Sequence, residues 1–256
     1  MLSLQRNFAY DIYDIAPFSQ SVAFSSPNTA GNGLIVVAYF ESAMYPANPN
    51  LEISDSQGNT YQRIGACGAI NAGNGLVSLL QIWYVSSCRA GANTVTVTEI
   101  TSTQYATFIL AVNVFEYAGG LGAVDASSFA TGLSKPSLTL SLTTTAAGDL
   151  LFAYAAQFGQ TATVSLAGSS GDTTEQTEGI RQLVSPYAVI IPTLAVDQVE
   201  GEAGIETITF DFTQVGAGLD TALFVALPCA LPAPAPPPPS PPVPVLGSTA
   251  GWPTIF

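Results

Sequence analysis

The side chains with the greatest catalytic potential in this chain are its carboxylates. The 256 residues include 18 acidic and five basic side chains and no histidine. Histidine is the usual general base, the usual partner of a serine or cysteine nucleophile and the commonest ligand of transition metals. Its absence argues against triad hydrolases and zinc enzymes. Paired carboxylates remain the one catalytic route, because two acidic residues facing each other across a cleft can hydrolyse a glycosidic bond.

The candidates for such a pair are five carboxylates of the first half: Glu41, Glu52, Asp55, Glu99 and Glu116. Only Glu116, inside the apolar run from 112 to 117, is expected to have a perturbed pKa. The alternative is that Glu116 ends a strand and forms an ion pair with an arginine. Since the other four have ordinary settings, we predict that the protein is not an enzyme and has no catalytic residues.

Nucleotide and metal binding have little support in the sequence. No GxSxG, GxxxxGK[ST] or helix-opening GxGxxG motif is present. The segment Asp55–Thr60 resembles a calcium turn, but calcium takes about six to eight oxygen ligands and one carboxylate supplies little charge. We interpret it as a hairpin turn, and the segment Ser169–Glu178 as a solvated surface loop. We therefore predict no metal and no cofactor.

The three cysteines, Cys67, Cys88 and Cys229, lack the CxxC spacing of a structural zinc site. Cys67 and Cys88 lie 21 positions apart around a loop rich in glycine and asparagine. They form either a disulfide or two buried thiols. Cys229 stands where the domain ends, and it is either free or cross-links subunits.

The net charge of −13 and the pI of about 4.1 repel phosphates and anionic lipids. We expect neither nucleic acid nor membrane partners, and no run approaches the ~20 apolar residues of a membrane-spanning helix. We expect that the first residues are not a signal peptide, because Asp11 and Asp14 interrupt the apolar stretch. A surface rich in uncharged polar residues suits a virion or an extracellular surface, reached by lysis or unconventional export.

The elements that would position these side chains are strands. Polar and apolar residues alternate in Thr94–Thr98, Leu138–Leu142 and Thr207–Phe212, which indicates strands with one buried face. Continuous apolar runs indicate strands covered on both faces: Leu34–Phe40, Phe108–Phe115 and Leu150–Ala156. The chain is therefore predicted to be all-β.

The order of these strands repeats, so the chain has two pseudo-repeated halves. Gly33 and Asp149 open equivalent apolar strands 116 positions apart. Two arrangements would produce this repeated strand order: two small sandwiches in tandem, or two halves of one sandwich. We favour a single antiparallel jelly-roll or Ig-like β-sandwich over residues 18–228, because the connection Ala118–Gly132 is partly apolar and should pack on the domain.

The C-terminal tail, residues 229–256, cannot build a core of its own. Eleven of the 18 prolines lie from Pro228 onward, and a polyproline II rod over Pro232–Pro244 would span roughly 40 Å. Leu246, Trp252, Ile255 and Phe256 form an apolar end. We expect these four residues to dock on a partner.

The N-terminal arm, residues 1–17, contains Phe8, Tyr10 and Ile12. It is either the first edge strand of the domain or a second docking arm that adds a strand to a neighbour. Several aromatic residues are candidates for a sugar-binding platform, although a tryptophan within a strand is usually core. They are Tyr39, Tyr45, Tyr61, Trp83 and Tyr84.

Four segments together resemble a loosely characterised set of β-sandwich domains found in phage structural or tail-associated proteins and in bacterial surface proteins. They are ISDSQGNTY (53–61), QIWYV (81–85), AGANTVTVT (90–98) and VFEYAG (114–119). The resemblance implies a surface or particle role and carries over no catalytic residues.

We therefore expect a non-enzymatic structural subunit of an extracellular assembly, foremost a phage virion protein such as a capsid decoration, tail or fibre component. Its partners would be copies of itself or other virion subunits, held through the proline-rich tail. The alternatives are a subunit of a prokaryotic extracellular filament, or a carbohydrate-binding surface adhesin that recognises a host-surface glycan.

Overall fold

The computed structural model describes most of the chain in eleven stretches. They are residues 4–13, 18–42, 50–71, 76–100, 108–133, 135–157, 164–169, 174–184, 187–199, 202–212 and 219–229. For some strand residues, including all those described between 174 and 199, only the backbone is described.

These stretches contain sixteen strands and no helix, which confirms the all-β prediction. The strands of the first half are β1 (Gln5–Tyr13), β2 (Phe18–Ala23), β3 (Gly33–Ser42), β4 (Leu51–Asp55), β5 (Gln62–Asn71), β6 (Leu76–Val85), β7 (Thr94–Glu99) and β8 (Phe108–Tyr117). Those of the second half are β9 (Ala126–Leu133), β10 (Ser137–Thr143), β11 (Asp149–Gln157), β12 (Val164–Ser169), β13 (Thr174–Val184), β14 (Tyr187–Val199), β15 (Ile205–Phe212) and β16 (Leu219–Pro228).

The burial of the strands follows their sequence patterns. In β7, β10 and β15 a buried residue alternates with a more exposed one, as expected when one face of a strand meets water. Every residue of β11 is buried, because a strand with an apolar residue at nearly every position needs cover on both faces. The predicted strand types are confirmed in these four elements.

The two halves have the same topology. The first half has an inner sheet in the order β1-β8-β3-β6-β5 and an outer sheet in the order β2-β7-β4. The second half repeats both, with an inner sheet β9-β16-β11-β14-β13 and an outer sheet β10-β15-β12. Each strand of the second half therefore corresponds to the strand eight places earlier, and the predicted pseudo-repeat is confirmed.

Among the described residues, three hydrophobic cores lie between the four sheets. One core lies between the inner and outer sheets of the first half and includes Trp83. A second lies between those of the second half and includes Phe210. The third, which we call the central core, joins the two inner sheets through residues such as Val37 and Phe152. The fold is thus a pair of sandwiches fused face to face, which refines the expectation of one two-sheet sandwich.

The central core is closely packed. The rings of Phe115 and Phe152 meet edge to face with their centroids 5.1 Å apart. A side chain at Gly65 would overlap the ring of Phe129, since the nearest ring atom lies 2.3 Å from the position of a Cβ. The glycine therefore lets β9 of the second half approach β5 of the first.

The connection between the halves packs on the fold, as predicted. Leu121 is buried in the central core, the Gly122 N–H donates to the Pro228 carbonyl at 2.6 Å, and the Asp125 N–H donates to the Ala226 carbonyl at 3.0 Å. We call this end of the molecule, where β8 and β16 finish, the base. We call the opposite end, where β3 and β11 finish, the far end.

The strand pair β13–β14 was not predicted. Residues 174–178, assigned to a surface loop, instead begin β13, which pairs with β14 from Thr174↔Asp197 to Val184↔Tyr187. Ser169, at the start of the same predicted loop, ends β12. The prediction failed because the sequence TEQTEGIRQLV mixes charged and apolar residues without a period of two.

Candidate docking segments and buried carboxylates

The predicted docking residues of the tail, Leu246, Trp252, Ile255 and Phe256, lie outside the described residues. The described chain ends at Cys229, which forms an isolated bridge with Leu121. The root of the tail is therefore fixed at the base of the molecule, beside the connection between the halves.

The N-terminal segment is the first edge strand of its own sheet. The strand β1, which contains Phe8, Tyr10 and Ile12, pairs with β8 from Gln5↔Glu116 to Tyr13↔Phe108. The edge-strand interpretation is confirmed. No described strand pairs with the other edge of β1, so that edge offers backbone groups to which a further strand could add. The strand begins at the base, where the Leu4 N–H donates to the Glu116 carbonyl at 2.7 Å.

Glu116, the carboxylate singled out from the sequence, is 2% exposed and accepts hydrogen bonds from four groups. Asn28 Nδ2 donates to Oε2 at 2.8 Å, Asn32 Nδ2 to Oε1 at 2.7 Å, and the Thr29 N–H to Oε1 at 2.9 Å. Gln5 Nε2 also donates to Oε2. The expected ion pair with an arginine was wrong, because neutral donors from β1 and from the β2–β3 connection surround the carboxylate.

The protonation of Glu116 follows from these contacts. Burial alone would raise the pKa of Glu116, but hydrogen bonds from Thr29, Gln5, Asn28 and Asn32 outweigh it and hold the pKa below its usual value. The carboxylate is therefore ionised at neutral pH and lacks the raised pKa that a general acid needs. Its arrangement serves to tie the start of β1 to the β2–β3 connection.

Asp55 organises the turn that carries the chain from the first outer sheet to the first inner sheet. Its carboxylate accepts hydrogen bonds from the Asn59 N–H at 2.9 Å, Asn59 Nδ2 at 2.7 Å, the Tyr61 hydroxyl at 2.8 Å and Asn93 Nδ2 at 3.0 Å. All these groups are donors, so they leave a cation little coordination. The turn interpretation is preferred to calcium, but β4 and β5 belong to different sheets, so the turn is a corner and not a hairpin.

Asp125 and Asp149 form a carboxyl pair at the base. Asp149 is 1% exposed, and no described donor reaches either of its oxygens. Asp125 accepts hydrogen bonds from the Thr145 N–H and hydroxyl, each at 2.6 Å. Burial, the charge of Asp125 and a hydrogen bond to Asp125 raise the pKa of Asp149 to about 6. Below about pH 6, Asp149 is protonated and donates to Asp125, whereas at neutral pH both carboxyl groups are largely ionised.

Replacing Asp149 by asparagine is expected to stabilise the protein at pH 7.5 by about 1–2 kcal/mol and to change little at pH 4. The folded state holds the Asp149 proton more tightly than the unfolded state, so stability falls as pH rises from about 4 to above 6. The amide keeps a donor for Asp125 and does not ionise. Urea unfolding at both pH values measures the difference, with the exposed Asp211→Asn as control. A stabilisation that is equal at both pH values would contradict the assignment.

Another buried acid, Glu41, lies in the central core near the far end. It is 2% exposed, and the Tyr39 hydroxyl donates to its Oε2 at 2.7 Å. Burial raises the pKa of Glu41 well above its usual value, although the Tyr39 hydrogen bond opposes the shift. Across the same core, Asn113 Nδ2 donates to the Tyr154 hydroxyl at 2.7 Å. The Asn113–Tyr154 hydrogen bond links the two inner sheets, whereas the Tyr39–Glu41 hydrogen bond lies within β3.

Sequence reasoning named Glu41 as a candidate but expected an ordinary setting for it, which was wrong because the side chain is buried and its pKa is raised, and it did not single out Asp149. The available signal for Glu41 was its position two residues after Tyr39 in an apolar strand, which puts both side chains on one face. Asp149 opens a fully buried strand. The structure does not bring Glu41, Glu116 and Asp149 together around one open cleft: Glu41 lies near the far end, while Glu116 and Asp149 are buried at the base.

The proposed aromatic platform was wrong for the members that lie within the fold. Tyr39 is 0% exposed, and Trp83 and Tyr84 are each 4% exposed. They are inaccessible to a sugar because Trp83 packs in the core of the first sandwich while Tyr39 and Tyr84 pack in the central core. Tyr61 donates to Asp55, and Tyr45 lies outside the described residues.

The cysteines do not form the suggested disulfide. Cys88 is a free, buried thiol whose Sγ donates to the Thr29 carbonyl at 3.2 Å. Cys67 stands opposite Leu80 on β6, and about five strand residues, roughly 16 Å, separate that position from the end of β6. Cα atoms more than about 7 Å apart cannot be bridged. Cys229 is also a free thiol and is half-buried.

The described stretches contain neither a cluster of metal-binding side chains nor a helix that could span a membrane. No group of three or more histidine, cysteine or acidic side chains stands close enough to hold a metal ion there. None of these stretches contains a helix long and apolar enough to span a membrane.

Comparison with known proteins gives no relative for this chain. No family model, no curated protein and no solved structure matches it.

Proposed function

We propose that the chain is a non-enzymatic structural subunit of an extracellular assembly, foremost a phage virion protein such as a capsid decoration, tail or fibre component. The observation that carries the proposal is the position of the two terminal segments. The strand β1 begins at the base, and the proline-rich tail leaves the fold from the base at Cys229. One end of the molecule thus holds both segments that can reach a neighbour.

The state of the carboxylates supports a role without catalysis. Glu116 and Asp55 accept several internal hydrogen bonds each, while Asp149 and Glu41 are buried almost completely. Hydrogen bonding and burial of this kind fix the connections of a sandwich. The burial of Glu41, Glu116 and Asp149 leaves these three side chains without contact to a substrate in solution.

The expected partners are copies of this chain or other subunits of the same particle. The surface of the outer sheets supports an extracellular setting, because it presents uncharged hydroxyl pairs such as Ser21–Thr96 at 2.8 Å and Thr139–Thr209 at 2.9 Å. A net charge of −13 disfavours binding to nucleic acid.

Deleting residues 247–256 is expected to convert the assembled protein into a monomer. The deletion removes Trp252, Ile255 and Phe256, which supply the apolar contact area of the tail, and leaves the sandwich intact. Size-exclusion chromatography with light scattering measures the mass of the assembly. Ser248→Ala is the matched control within the same segment and should assemble normally. Unchanged assembly of the deleted chain would contradict anchoring through the tail.

Electron micrographs of the assembled protein distinguish the virion interpretation from the alternative of a cellular filament. Closed particles or short tail-like structures are expected. Open filaments of indefinite length would favour the alternative.

A further inference from the structure

The hairpin of β13 and β14 extends beyond the sheet to which it belongs. The last residue pair between β14 and β11 is Ala156↔Thr193. Six further pairs, from Gly179↔Pro192 to Val184↔Tyr187, join β14 to β13 alone among the described residues. We call these six pairs the ribbon, and they add about 20 Å at the far end.

The ribbon has no counterpart in the first half. There the equivalent hairpin, β5 and β6, closes at Asn71↔Leu76, while the neighbouring strand β3 still pairs with β6 at Ser42↔Val77. That hairpin ends level with its sheet. Since the two halves otherwise share one topology, the ribbon is an addition specific to the second half.

Pro192 marks the point where the ribbon leaves the sheet. Proline has no N–H to give to a neighbouring strand and is found in sheets mainly at edges. Here it is the first residue of the ribbon, directly beyond the last pair with β11. The sequence thus agrees with a strand that has β11 as a neighbour up to Thr193 and not beyond.

The ribbon is apolar for a two-stranded hairpin. Its strands read GIRQLV and YAVIIP, and Arg181 is the one charged residue among these twelve. By register, Ile180 stands opposite Ile191, and Val184 opposite Tyr187, on one face. An isolated hairpin is at best marginally stable in water and needs a third element to pack against it. The described strands of the first half pack on β9, β11 and β16 of the second inner sheet, which lie on the side of that sheet away from β13.

The C-terminal segment of this chain has the matching chemistry. Residues 230–256 contain no charged side chain, and Trp252, Ile255 and Phe256 end a segment of 27 residues outside the described fold. Apolar side chains on a neutral segment suit an apolar ribbon, and the single Arg181 suits an aromatic ring such as that of Trp252.

The direction of β16 favours the segment of another copy. This strand runs from the far end to the base, so the chain leaves the base heading away from its own ribbon. The expected rod over Pro232–Pro244 would carry the end of the tail roughly 40 Å outward. That expected length is about the length of β14, again roughly 40 Å.

We propose that residues 247–256 of one copy dock on the β13–β14 ribbon of a second copy. The interface joins the base of one subunit to the far end of the next, which makes it heterologous, and it closes into a ring or continues as a fibre according to the rotation between copies. This inference rests on the proposed function, and it names the partner surface of the tail.

A peptide of residues 247–256 labelled with fluorescein tests the docking directly. Its anisotropy is expected to rise to saturation on titration with the chain truncated after Leu246. Trp252→Ala in the peptide is expected to weaken binding at least tenfold, whereas Ser248→Ala leaves it unchanged. Absence of binding to the truncated chain would overturn the inference.

Two variants of the truncated chain locate the binding surface. Val189→Asp puts a charge on the ribbon, and replacing 180–191 by a Gly-Asn turn shortens the hairpin to the length found in the first half. Both are expected to reduce peptide affinity at least tenfold. The control Ile205→Asp alters an isoleucine that is 72% exposed at the base and should bind normally. Undiminished binding to the shortened chain would overturn the ribbon as the site.

Mixing two defective chains separates docking between copies from docking within one copy. The truncated chain lacks a tail, and the full chain with the shortened ribbon lacks the docking surface, so each alone is expected to be a monomer. Together they should form a one-to-one complex, seen by light scattering. If they stay apart while the tail deletion still prevents assembly, the inference fails and the proposed function stands. If the tail deletion leaves assembly unchanged, the proposed function itself fails.

Discussion

Replacement of Glu116 by alanine is expected to lower the free energy of unfolding by about 3 kcal/mol. The carboxylate is 2% exposed and accepts from Asn28, Asn32, Thr29 and Gln5. Alanine leaves these donors in a buried space without an acceptor, and each buried unpaired group costs about 1–3 kcal/mol. Urea unfolding followed by circular dichroism measures the loss.

Glu116→Gln tests the charge with nearly unchanged shape. The NH2 group of the glutamine would face hydrogen-bond donors, while its carbonyl oxygen could still accept. We therefore expect about half the loss of stability seen with alanine. Glu52→Gln, at an exposed position of the first outer sheet, is the matched control and should leave stability within about 0.5 kcal/mol. A loss for Glu116→Ala no larger than that of the control would contradict the hydrogen-bonded arrangement.

The same residue predicts a pH dependence. The pKa of Glu116 is lower in the folded protein than its ordinary value of 4.5, so the unfolded state binds the proton more tightly. Stability from Glu116 is therefore complete above about pH 5 and is lost as pH falls through the lower folded value. In Glu116→Gln, the free energy of unfolding should therefore fall less steeply as the pH is lowered. An equally steep fall in the variant would mean that other groups cause the loss of stability at acid pH.

Replacement of Phe152 by alanine is expected to cost about 3–5 kcal/mol and to destabilise both halves at once. Phe152 is 0% exposed in the central core and packs edge to face on Phe115 of the first half. The substitution leaves a cavity between the inner sheets, and a shared core should make the two sandwiches unfold together.

Trp83 provides the measurement for this coupling, because it is buried in the first half while the substitution is in the second. In a chain truncated after Leu246, which removes Trp252, its fluorescence should report an unfolding midpoint shifted by Phe152→Ala. Ile205→Ala, at a 72% exposed position, should leave the midpoint in place. An unshifted Trp83 midpoint in Phe152→Ala would mean that the halves fold independently.

Much of the fold could be predicted from the sequence, because the order of apolar and polar residues along a sandwich strand indicates which of its faces are buried. The alternation of β7 and the continuous apolar run of β11 each fixed the type and the exposure of a strand. The face-to-face packing of the two inner sheets could not be predicted from the sequence. An apolar face shows that a sheet must be covered, but it does not identify the sheet that covers it. The ribbon was missed because Arg181 and Gln182 interrupt its apolar pattern.

The candidate site was predicted in part. Glu116 stood out because a charge inside an apolar run requires partners. Those partners come from Gln5 and from the segment Asn28–Asn32, more than 80 positions away, and no local pattern joins them. The disulfide failed for a related reason, since sequence separation gives no distance when Cys67 and Cys88 belong to different parts of the strand ladder.

The face-to-face union of the inner sheets has a consequence for synthesis of the chain. When the first half has left the ribosome, the face of its inner sheet that carries Ile35, Val37 and Tyr39 is complete but uncovered. It stays exposed to water until it is covered by β11, which begins 32 residues after the end of β8, and by β16, which begins 102 residues after it. A partly synthesised chain therefore exposes an apolar sheet face and is prone to aggregate. For the same reason, cutting the gene at the repeat boundary is not expected to yield two soluble modules, even though each module has a full set of eight strands.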